Sequence, residues 1–224
     1  MGPRKTTTRE RLITTAAELF WRQGYSQTGV NEIIQQAKAT SGSFYHFFPT
    51  KEDLLLAVVN HVAGVFETEV FDPAYDETGD AVDRLFTILE NYRRLLLESG
   101  FTFASPMGSL AAEVSENHPP VRARLAEIQT AWTERIQQLL TDSGEPLPGG
   151  VDHAAVAGFV ISVVEGAVLQ ARVARSLDPF DASLEELRNY LGLLERPAHH
   201  AEPIPAPPTR LSQPRAQSAD WRAW

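Results

Sequence analysis

Apolar residues recur at intervals of three or four positions through most of residues 7–195, a periodicity that is typical of amphipathic α-helices. No stretch alternates polar and apolar residues as a half-buried strand would, and the sequence contains no internal repeat. The chain has 224 residues, of which 43% are hydrophobic and 22% are charged, as is ordinary for a globular protein. The sequence therefore predicts an all-α fold.

Local signals predict where the helices begin and end. Thr7-x-x-Glu10 is a capping box, in which the hydroxyl and the carboxylate satisfy free N–H groups, and Gly24 ends this first helix. Thr28 is a candidate N-cap of the second helix. Thr50 to Asp53 begins a long helix, which we expect Asp72-Pro73 to end. Further helices are expected over residues 80–99, 107–116, 120–143, 152–176 and 183–195, the last begun by a capping box at Ser183-x-x-Glu186.

A turn at residues 38–40 joins two short helical segments, and this arrangement is the pattern of a helix-turn-helix. The second segment, residues 41–47, is barely two turns long and must be held rigid by its neighbours. We expect Phe44, Phe47 and Phe48 to pack inward for this purpose. The outer face of the segment would then carry Ser41, Gly42, Ser43, Tyr45 and His46.

The net charge of −9 argues at first against a nucleic-acid partner, but the charge is unevenly distributed. Residues 1–51 contain seven basic and three acidic side chains, so this segment carries +4 and the remainder carries −13. A basic first quarter on an acidic body is the asymmetry expected when only one end meets an anionic partner.

Several kinds of chemistry find no support in the sequence. The absence of cysteine excludes disulfides, thiolate nucleophiles and cysteine-based metal sites. His61, His118 and His153 show no paired metal-ligand spacing, so we expect no metal and no other cofactor. No Gly-rich phosphate loop, nucleophile elbow or H-E-x-x-H motif is present, so we do not expect an enzyme.

The ends of the chain suggest a cytoplasmic protein. We find no signal peptide, and no uninterrupted run approaches the ~20 apolar residues that a membrane span needs. From Pro197 onward six of 28 residues are proline, so we expect residues 197–224 to be a disordered tail. Trp221 and Trp224 are either incidental in this tail or a docking anchor.

The segment GYSQTGVNEIIQQAKATSGSFYHFFPTKEDLL, residues 24–55, resembles the DNA-binding domain of TetR/AcrR-family transcriptional repressors. The segments SPMGSLAAEVSENHPPVRARL and EGAVLQARVARSLDPF resemble the regulatory half of a subgroup of that family. The resemblance implies a three-helix DNA-binding domain over residues 7–52 and a larger helical effector-binding and dimerisation domain over residues 53–196. It also implies a homodimer that binds a double-stranded DNA operator.

The family's DNA contacts carry over to seven positions. Phosphate contacts set the register of such a protein on DNA, and base contacts specify the sequence. The resemblance implies phosphate contacts from Thr28, Tyr45 and Lys51, base contacts from Ser41, Ser43 and His46, and a close backbone approach at Gly42. Lys38, an eighth candidate, adds a charge of its own close to the DNA.

Two of these positions depart from the family pattern. Lys38 stands where a turn glycine is usual, and a left-handed lysine there costs ~1 kcal/mol. Ser41 stands where a lysine or arginine is common. Structural alternatives also stay open, since Tyr45 could be core, His46 a packed or solvated histidine, Lys51 a surface lysine, and Lys38 a plain turn residue.

For the body, the resemblance implies dimerisation through the last two helices and an effector pocket in the middle ones. Small residues at 158, 166 and 167, and Leu184, Leu187, Leu191 and Leu194, are interface candidates, or they face the monomer's own core. The effector is expected to be a largely apolar small molecule, and without cysteine it cannot act through a thiol. Candidate lining residues are Phe66, Phe86, Tyr92, Phe101, Phe103, Met107, Trp132 and Phe159, with Glu165 as a polar anchor.

The long helix from residue 50 to residue 71 joins both predicted domains and is the expected lever between effector and DNA. A helical protein–protein adaptor that uses the same motif for other contacts is the alternative. Salt dependence separates the two, because contacts to DNA phosphates weaken steeply as salt rises.

Overall fold

The computed structural model describes residues 6–75, 79–102, 106–114, 117–142 and 151–194, but not the side chains of residues 106, 107, 109 and 112. These ranges contain helices and no strand, which confirms the all-α prediction. The tail expected at residues 197–224 lies outside the described residues. The helices are α1 (Thr8–Gln23), α2 (Val30–Gln36), α3 (Ser41–Phe47), α4 (Lys51–Phe66), α5 (Asp72–Tyr75), α6 (Ala81–Glu98), α7 (Pro106–Val114), α8 (Pro119–Asp142), α9 (His153–Ala174) and α10 (Asp178–Leu194), with a π-helical segment Glu67–Phe71 between α4 and α5.

Helix α1 begins and ends where the sequence predicts. The Glu10 N–H donates to the Thr7 hydroxyl at 3.1 Å, and the Thr7 N–H donates to the Glu10 carboxylate at 2.7 Å. At the other end Gly24 adopts φ 89°, a conformation that glycine reaches without the steric cost of a Cβ. Leu12, Ala16 and other buried residues of α1 then pack against α4, so α1 is the brace of the N-terminal unit.

The prediction that Thr28 caps α2 is wrong. The N-cap residue is Gly29, which makes no side-chain capping bond. The Thr28 side chain is buried, and its hydroxyl donates to the Gly24 carbonyl at 2.7 Å. The hydroxyl therefore closes the turn after α1 instead of satisfying the N-terminus of α2.

Helix α3 matches its predicted span, and two of its three expected anchors are buried. Phe44 is fully buried and Phe48 nearly so, at 6.1 Å between ring centroids. Phe47 does not pack inward as predicted, because 38% of its surface is exposed beside the His46 ring. Phe44 and Phe48 lie four positions apart on one helical face, whereas Phe47 is rotated away from that face.

The long helix does not end at Asp72-Pro73. It continues through the π-helical segment Glu67–Phe71 into α5, in which Pro73 lies in the first turn and needs no intrahelical N–H donor. Arg135 of α8 forms ion pairs with Glu67 and with Asp72, at 3.2 Å for the latter. The Arg135 guanidinium therefore stabilises the π-helical segment by pairing with a carboxylate near each of its ends.

Helix α10 begins five residues earlier than its predicted capping box. Ser183 lies inside the helix, and its hydroxyl donates to the Pro179 carbonyl at 2.7 Å. The Asp178 N–H donates to the Ser176 hydroxyl at 3.1 Å, and this contact sets the start of the helix. Leu184, Leu187 and Leu191 are buried, so they face the monomer's own core.

Two helical stretches, Lys51–Tyr75 and His153–Ala174, are long and apolar enough to cross a membrane by length and composition. This finding corrects the expectation from the sequence that no apolar stretch approaches the length of a membrane span. Both stretches pack against other helices, because α4 contacts α1 and α8, and α9 contacts α8 and α10. In the most apolar window of His153–Ala174 only 39% of the residues are buried, which leaves one face of α9 uncovered.

Candidate DNA-binding surface and effector cavity

The turn between α2 and α3 is built around a left-handed lysine. Lys38 has φ 50°, its N–H donates to the Gln35 carbonyl at 3.1 Å, and the Ala39 N–H donates to the Ile34 carbonyl at 3.0 Å. This pair of bonds is the Schellman arrangement that closes a helix C-terminus, usually with glycine at the left-handed position. The Arg11 side chain adds a bond to the Ala37 carbonyl at 3.1 Å. The angle between α2 and α3 is therefore set by backbone hydrogen bonds.

One face of α3 carries exposed polar side chains around a glycine. Ser41, Gly42, Tyr45 and His46 are all exposed, and Tyr45 exposes 57% of its surface. Their spacing of i and i+4 places Ser41 beside Tyr45 and Gly42 beside His46. Tyr45 is therefore not core, and His46 is not a packed histidine. The Tyr45 ring rests edge-on against Phe44 at 5.1 Å, so the phenol leans on a buried anchor.

Ser43 differs from its neighbours because it belongs to the cap of α3. The Thr40 hydroxyl accepts from the Ser43 N–H at 3.1 Å and lies 2.9 Å from the Ser43 hydroxyl. Ser43 is half-buried in this arrangement. A base contact from the Ser43 hydroxyl would compete with its bond to the Thr40 hydroxyl.

Thr28 and Lys51, two expected phosphate ligands, are both turned toward the protein. The Thr28 hydroxyl is buried against Gly24, as described above. The Lys51 ammonium donates to the Tyr25 carbonyl at 2.5 Å and lies 4.1 Å from the centre of the Tyr25 ring. Burial lowers the pKa of Lys51 from its ordinary value, against the opposing attraction of the Glu113 carboxylate. An ammonium has three donors, so two remain for other acceptors.

Arg9 is a cation that the motif did not identify. Its guanidinium lies 5.5 Å from the centre of the Phe48 ring, at the C-terminal end of α3. The sequence indicated only an excess of basic residues near the N-terminus, and this excess did not place Arg9 relative to α3. The neighbouring cations Arg4 and Lys5 lie outside the described residues.

A carboxylate from the body holds the turn between α1 and α2. Glu113 of α7 accepts from the Tyr25 N–H at 2.9 Å and from the Ser26 N–H at 2.5 Å. Burial raises the pKa of Glu113, but the bonds from Ser26 and Tyr25 and the charge of Lys51 outweigh it, so the net shift is downward. A Cβ at Gly24 would lie 3.3 Å from this carboxylate, so Gly24 also makes room for it.

A second contact between the body and the N-terminal unit joins His118, just ahead of α8, to α4. The His118 Nδ1 is hydrogen-bonded to the Glu52 carboxylate, and the His118 ring meets the Tyr25 ring edge-on at 5.0 Å. Burial and the charges of Glu52 and Glu113 raise the pKa of Tyr25. Both contacts join the body to the base of the helix-turn-helix through residues that the sequence motifs did not single out.

The predicted aromatic effector pocket is only partly assembled. Phe66, Tyr92 and Trp132 are buried together, with Phe66 stacked on Trp132 at 4.7 Å and edge-on to Tyr92 at 4.9 Å. They and Glu165 line a cavity of about 30 Å³. Small-molecule sites usually have a volume of ~300–1,000 Å³. As it stands, this cavity is large enough for a water molecule and too small for an effector.

The other expected lining residues lie elsewhere. The Phe86 ring lies under the Arg188 guanidinium at 3.7 Å, and Phe159 is 45% exposed against Tyr190 on the surface of α9 and α10. Phe103 and the side chain of Met107 lie outside the described residues. Within the described ranges, no group of three or more His, Asp or Glu side chains is arranged to hold a metal.

Comparison with known families matches two parts of the chain. Residues 12–58 match the model of bacterial regulatory proteins of the tetR family. Residues 81–186 match the C-terminal domain of LmrA/YxaF-like transcriptional regulators.

Individual relatives match over most of their length. An HTH-type transcriptional regulator of Mycobacterium tuberculosis (strain ATCC 25618 / H37Rv) is 31% identical over 82% of this chain and 93% of its own. The repressor DhaR of Mycobacterium sp. (strain GP1) is 26% identical over 80% of this chain and 90% of its own. Among solved structures, the regulatory protein TetR from Rhodobacter sphaeroides superposes with a TM-score of 0.77 at 26% identity, covering 83% of this chain and 99% of that one.

Proposed function

Because the chain belongs to the TetR family of bacterial transcriptional regulators, we propose that it is a cytoplasmic, ligand-responsive repressor that binds a palindromic operator as a homodimer. The observation that carries this proposal is the exposed polar face of α3, held by the buried rings of Phe44 and Phe48. A rigid short helix with a polar outer face is what insertion into a major groove requires. Relatives named as repressors, such as DhaR, support the direction of regulation.

On DNA the proposed contacts divide by position. Ser41 and His46 face the base edges, while Gly42 lets the helix backbone approach them closely. Tyr45 and Lys38 reach phosphates, and Lys51 joins them with the donors that the Tyr25 carbonyl leaves free. Such phosphate contacts fix the register of α3 in the groove, and the base contacts select the sequence.

The proposed dimer forms through α9 and α10, but not through the leucines of α10 that the sequence suggested. The uncovered face of α9 carries Phe159, Leu169 and Val173, which expose 45%, 57% and 79% of their surfaces. Tyr190 and Leu193 of α10 extend this face at 38% and 61% exposure. To bind a palindromic operator, such a two-fold dimer must present its two α3 helices to half-sites about 34–36 Å apart.

An effector would act by preferring a dimer whose α3 helices no longer match that spacing. If its preference for that state is about 3 kcal/mol, operator affinity falls about 100-fold, because the coupling between two sites is reciprocal. Helix α4 contacts both α1 and α8, which supports its role as the mechanical link.

The test is fluorescence anisotropy of the purified protein on its own upstream intergenic DNA at two salt concentrations. We expect saturable binding that weakens steeply with salt, and loss of binding in the Tyr45→Ala, His46→Ala double variant. Both side chains are exposed, so the variant should melt like the wild type. Absence of binding to this DNA and to a library of genomic fragments would contradict the proposal.

A further inference from the structure

Two adjoining cavities lie where the N-terminal unit meets the body. The first, of about 390 Å³, lies between α1, α4 and the end of α6, and is lined largely by apolar atoms of residues such as Ala17, Val62 and Val65. The second, of about 530 Å³, lies between α1 and the end of α9. Trp21, Arg22 and Thr102 line both, so we treat the two as one junction cleft. This cleft has the volume of a small-molecule site, which the aromatic cavity of the body lacks.

The two ends of the junction cleft differ in charge. Arg22, Arg172 and Arg175 line the α9 end, and no carboxylate of the described residues lines it with them. Within the described residues, none of the three guanidinium groups forms an ion pair. The carboxylate of Glu18 lines the other, mostly apolar end. In a chain of net charge −9, a concave surface with three uncompensated cations is a local exception that attracts anions.

The cationic end also contains two strained backbone positions. Phe101 has φ 62° and Arg175 has φ 54°, and they are two of the three described non-glycine residues with positive φ. The two residues touch, with the Arg175 guanidinium 5.9 Å from the centre of the Phe101 ring. Bulky residues hold such conformations only where the surroundings enforce them, and these positions concentrate at binding sites. These backbone conformations set the directions in which the Arg175 guanidinium and the Phe101 ring face the cleft.

We propose that the junction cleft binds an amphipathic organic anion and is an effector site of this regulator. The aromatic or aliphatic body of the ligand lies between α1 and α4, against Ala17, Val65 and the Trp21 indole. Its carboxylate or phosphate lies toward the three arginines, whose planar donors suit such groups. The opposite orientation would place the anion beside Glu18. This inference rests on the proposed regulatory function, since it names the ligand class and the site for it.

Binding at the junction cleft would reach both proposed functional surfaces. Its walls belong to α1, which braces the helix-turn-helix, and to α9, whose Leu169 and Val173 line the cleft and belong to the proposed dimer face. A ligand that touches both walls selects one orientation of the N-terminal unit relative to the dimer. Operator DNA and ligand then change each other's affinity by the same factor.

Calorimetric titration of the full chain with naphthalene-2-carboxylate tests the site, and naphthalene-2-carboxamide is the neutral ligand of the same shape. We expect the carboxylate to bind and the amide to bind at least about tenfold more weakly. The Arg172→Gln, Arg175→Gln double variant should lose at least about tenfold in affinity for the carboxylate, whereas Arg188→Gln, which removes an exposed arginine of α10, should not. Ala17→Phe fills the apolar end and should abolish binding with all arginines present.

Two results would overturn this inference. One is the absence of carboxylate binding, or binding that the double variant and Ala17→Phe leave intact. The other is binding that does not alter operator affinity in the anisotropy assay, which would remove the effector role. Operator binding is measured separately without ligand, so a failed ligand titration with intact operator binding rejects the cleft and leaves the proposed repressor standing. Loss of operator binding in the untreated wild type rejects the repressor instead.

Discussion

At the scale of single residues, Lys38 and Gly42 of the helix-turn-helix connect backbone conformation with the proposed DNA contacts. Lys38 occupies a left-handed position with its side chain exposed. Gly42 lies on the exposed face of α3, and a Cβ there would meet only the Thr40 hydroxyl, at 3.9 Å. The left-handed backbone of Lys38 is strained in the folded protein, whereas the space beside Gly42 is not needed for packing within it. A substitution at either position should therefore change stability and DNA binding to different extents.

Replacing Lys38 with glycine should stabilise the protein by up to about 1 kcal/mol, because glycine removes the steric cost of a left-handed Cβ. Urea unfolding measures the gain. Lys38→Ala is the control, since it removes the charge and keeps the Cβ, and its stability should stay near that of the wild type. Equal stability of the glycine and alanine variants would mean that the turn is not strained.

Gly42→Ala should abolish operator binding and leave the fold intact. Alanine is favoured over glycine within a helix by roughly 0.5–1 kcal/mol, so loss of binding could not be attributed to unfolding. Gly64→Ala, at an exposed position of α4 where a Cβ meets nothing within 4 Å, is the matched control and should bind like the wild type. Fluorescence anisotropy and thermal unfolding of both variants test this prediction. If Gly42→Ala binds operator DNA like the wild type, the backbone of α3 does not approach the DNA closely at residue 42.

At the scale of secondary-structure elements, α7 is tied to the turn between α1 and α2 through Glu113. The two N–H groups that it accepts from belong to the segment directly ahead of α2, and Lys51 at the start of α4 bonds the same segment. The described part of α7 is short, but its carboxylate therefore influences the placement of both helices of the motif. The bond crosses the predicted boundary between the domains at residues 52 and 53.

Glu113→Gln should lower the free energy of unfolding at neutral pH by about 1 kcal/mol, since an amide replaces a charged acceptor. The pKa of Glu113 is lowered in the fold, so its stabilisation is present above the unfolded pKa of about 4.3 and is lost as pH falls through the lower folded pKa. The difference between wild type and variant should therefore shrink as the solution is acidified below that pH.

Urea unfolding at several pH values measures this difference. Glu98→Gln is the control, because that carboxylate sits in an exposed ion pair with Arg94 at 3.4 Å, and such pairs contribute little to stability. A Glu113→Gln penalty that stayed constant across the acid range would contradict the proposed charge-dependent bond.

At the scale of the whole molecule, the exposed apolar faces of α9 and α10 form the proposed dimer interface. Exposed apolar side chains that follow one helical face, with small residues between them, are the features of an interface between helices. In a two-fold dimer each residue of that face appears twice, so a single substitution acts twice. The same geometry decides whether two α3 helices can reach one operator.

Phe159→Glu should raise the dimer dissociation constant by about 100-fold or more, because two carboxylates would be buried at the two-fold interface. Sedimentation velocity measures the change, and operator affinity should fall with it. Leu97→Glu is the control, since Leu97 is a 51% exposed leucine on α6, outside the two helices of this face. A Phe159→Glu protein that sediments as the wild type does would place the interface elsewhere.

The sequence by itself determined those features that depend on neighbours along the chain. The capping boxes at Thr7 and Thr50 fixed the starts of α1 and α4, and Asp80 fixed that of α6, because each side chain bonds an N–H within its own first turn. The span of α3 followed from local turn chemistry, and the left-handed position of Lys38 followed from the family resemblance, since a turn glycine is usual there. The helix-turn-helix and its family resemblance were therefore available before any packing was known.

Only the tertiary structure decided which side chains face each other across the chain. Thr28 and Ser183 carry the right chemistry for capping, but nearby carbonyls of Gly24 and Pro179 took their hydroxyls. Leu184, Leu187 and Leu191 of α10 turned inward, away from the interface that the sequence suggested for them, and Phe66 and Trp132 stack where the effector pocket was expected. The bond from Glu113 to Tyr25 spans 88 positions, and the three arginines of the junction cleft come from α1 and α9. Such contacts depend on how helices pack, which local periodicity does not encode.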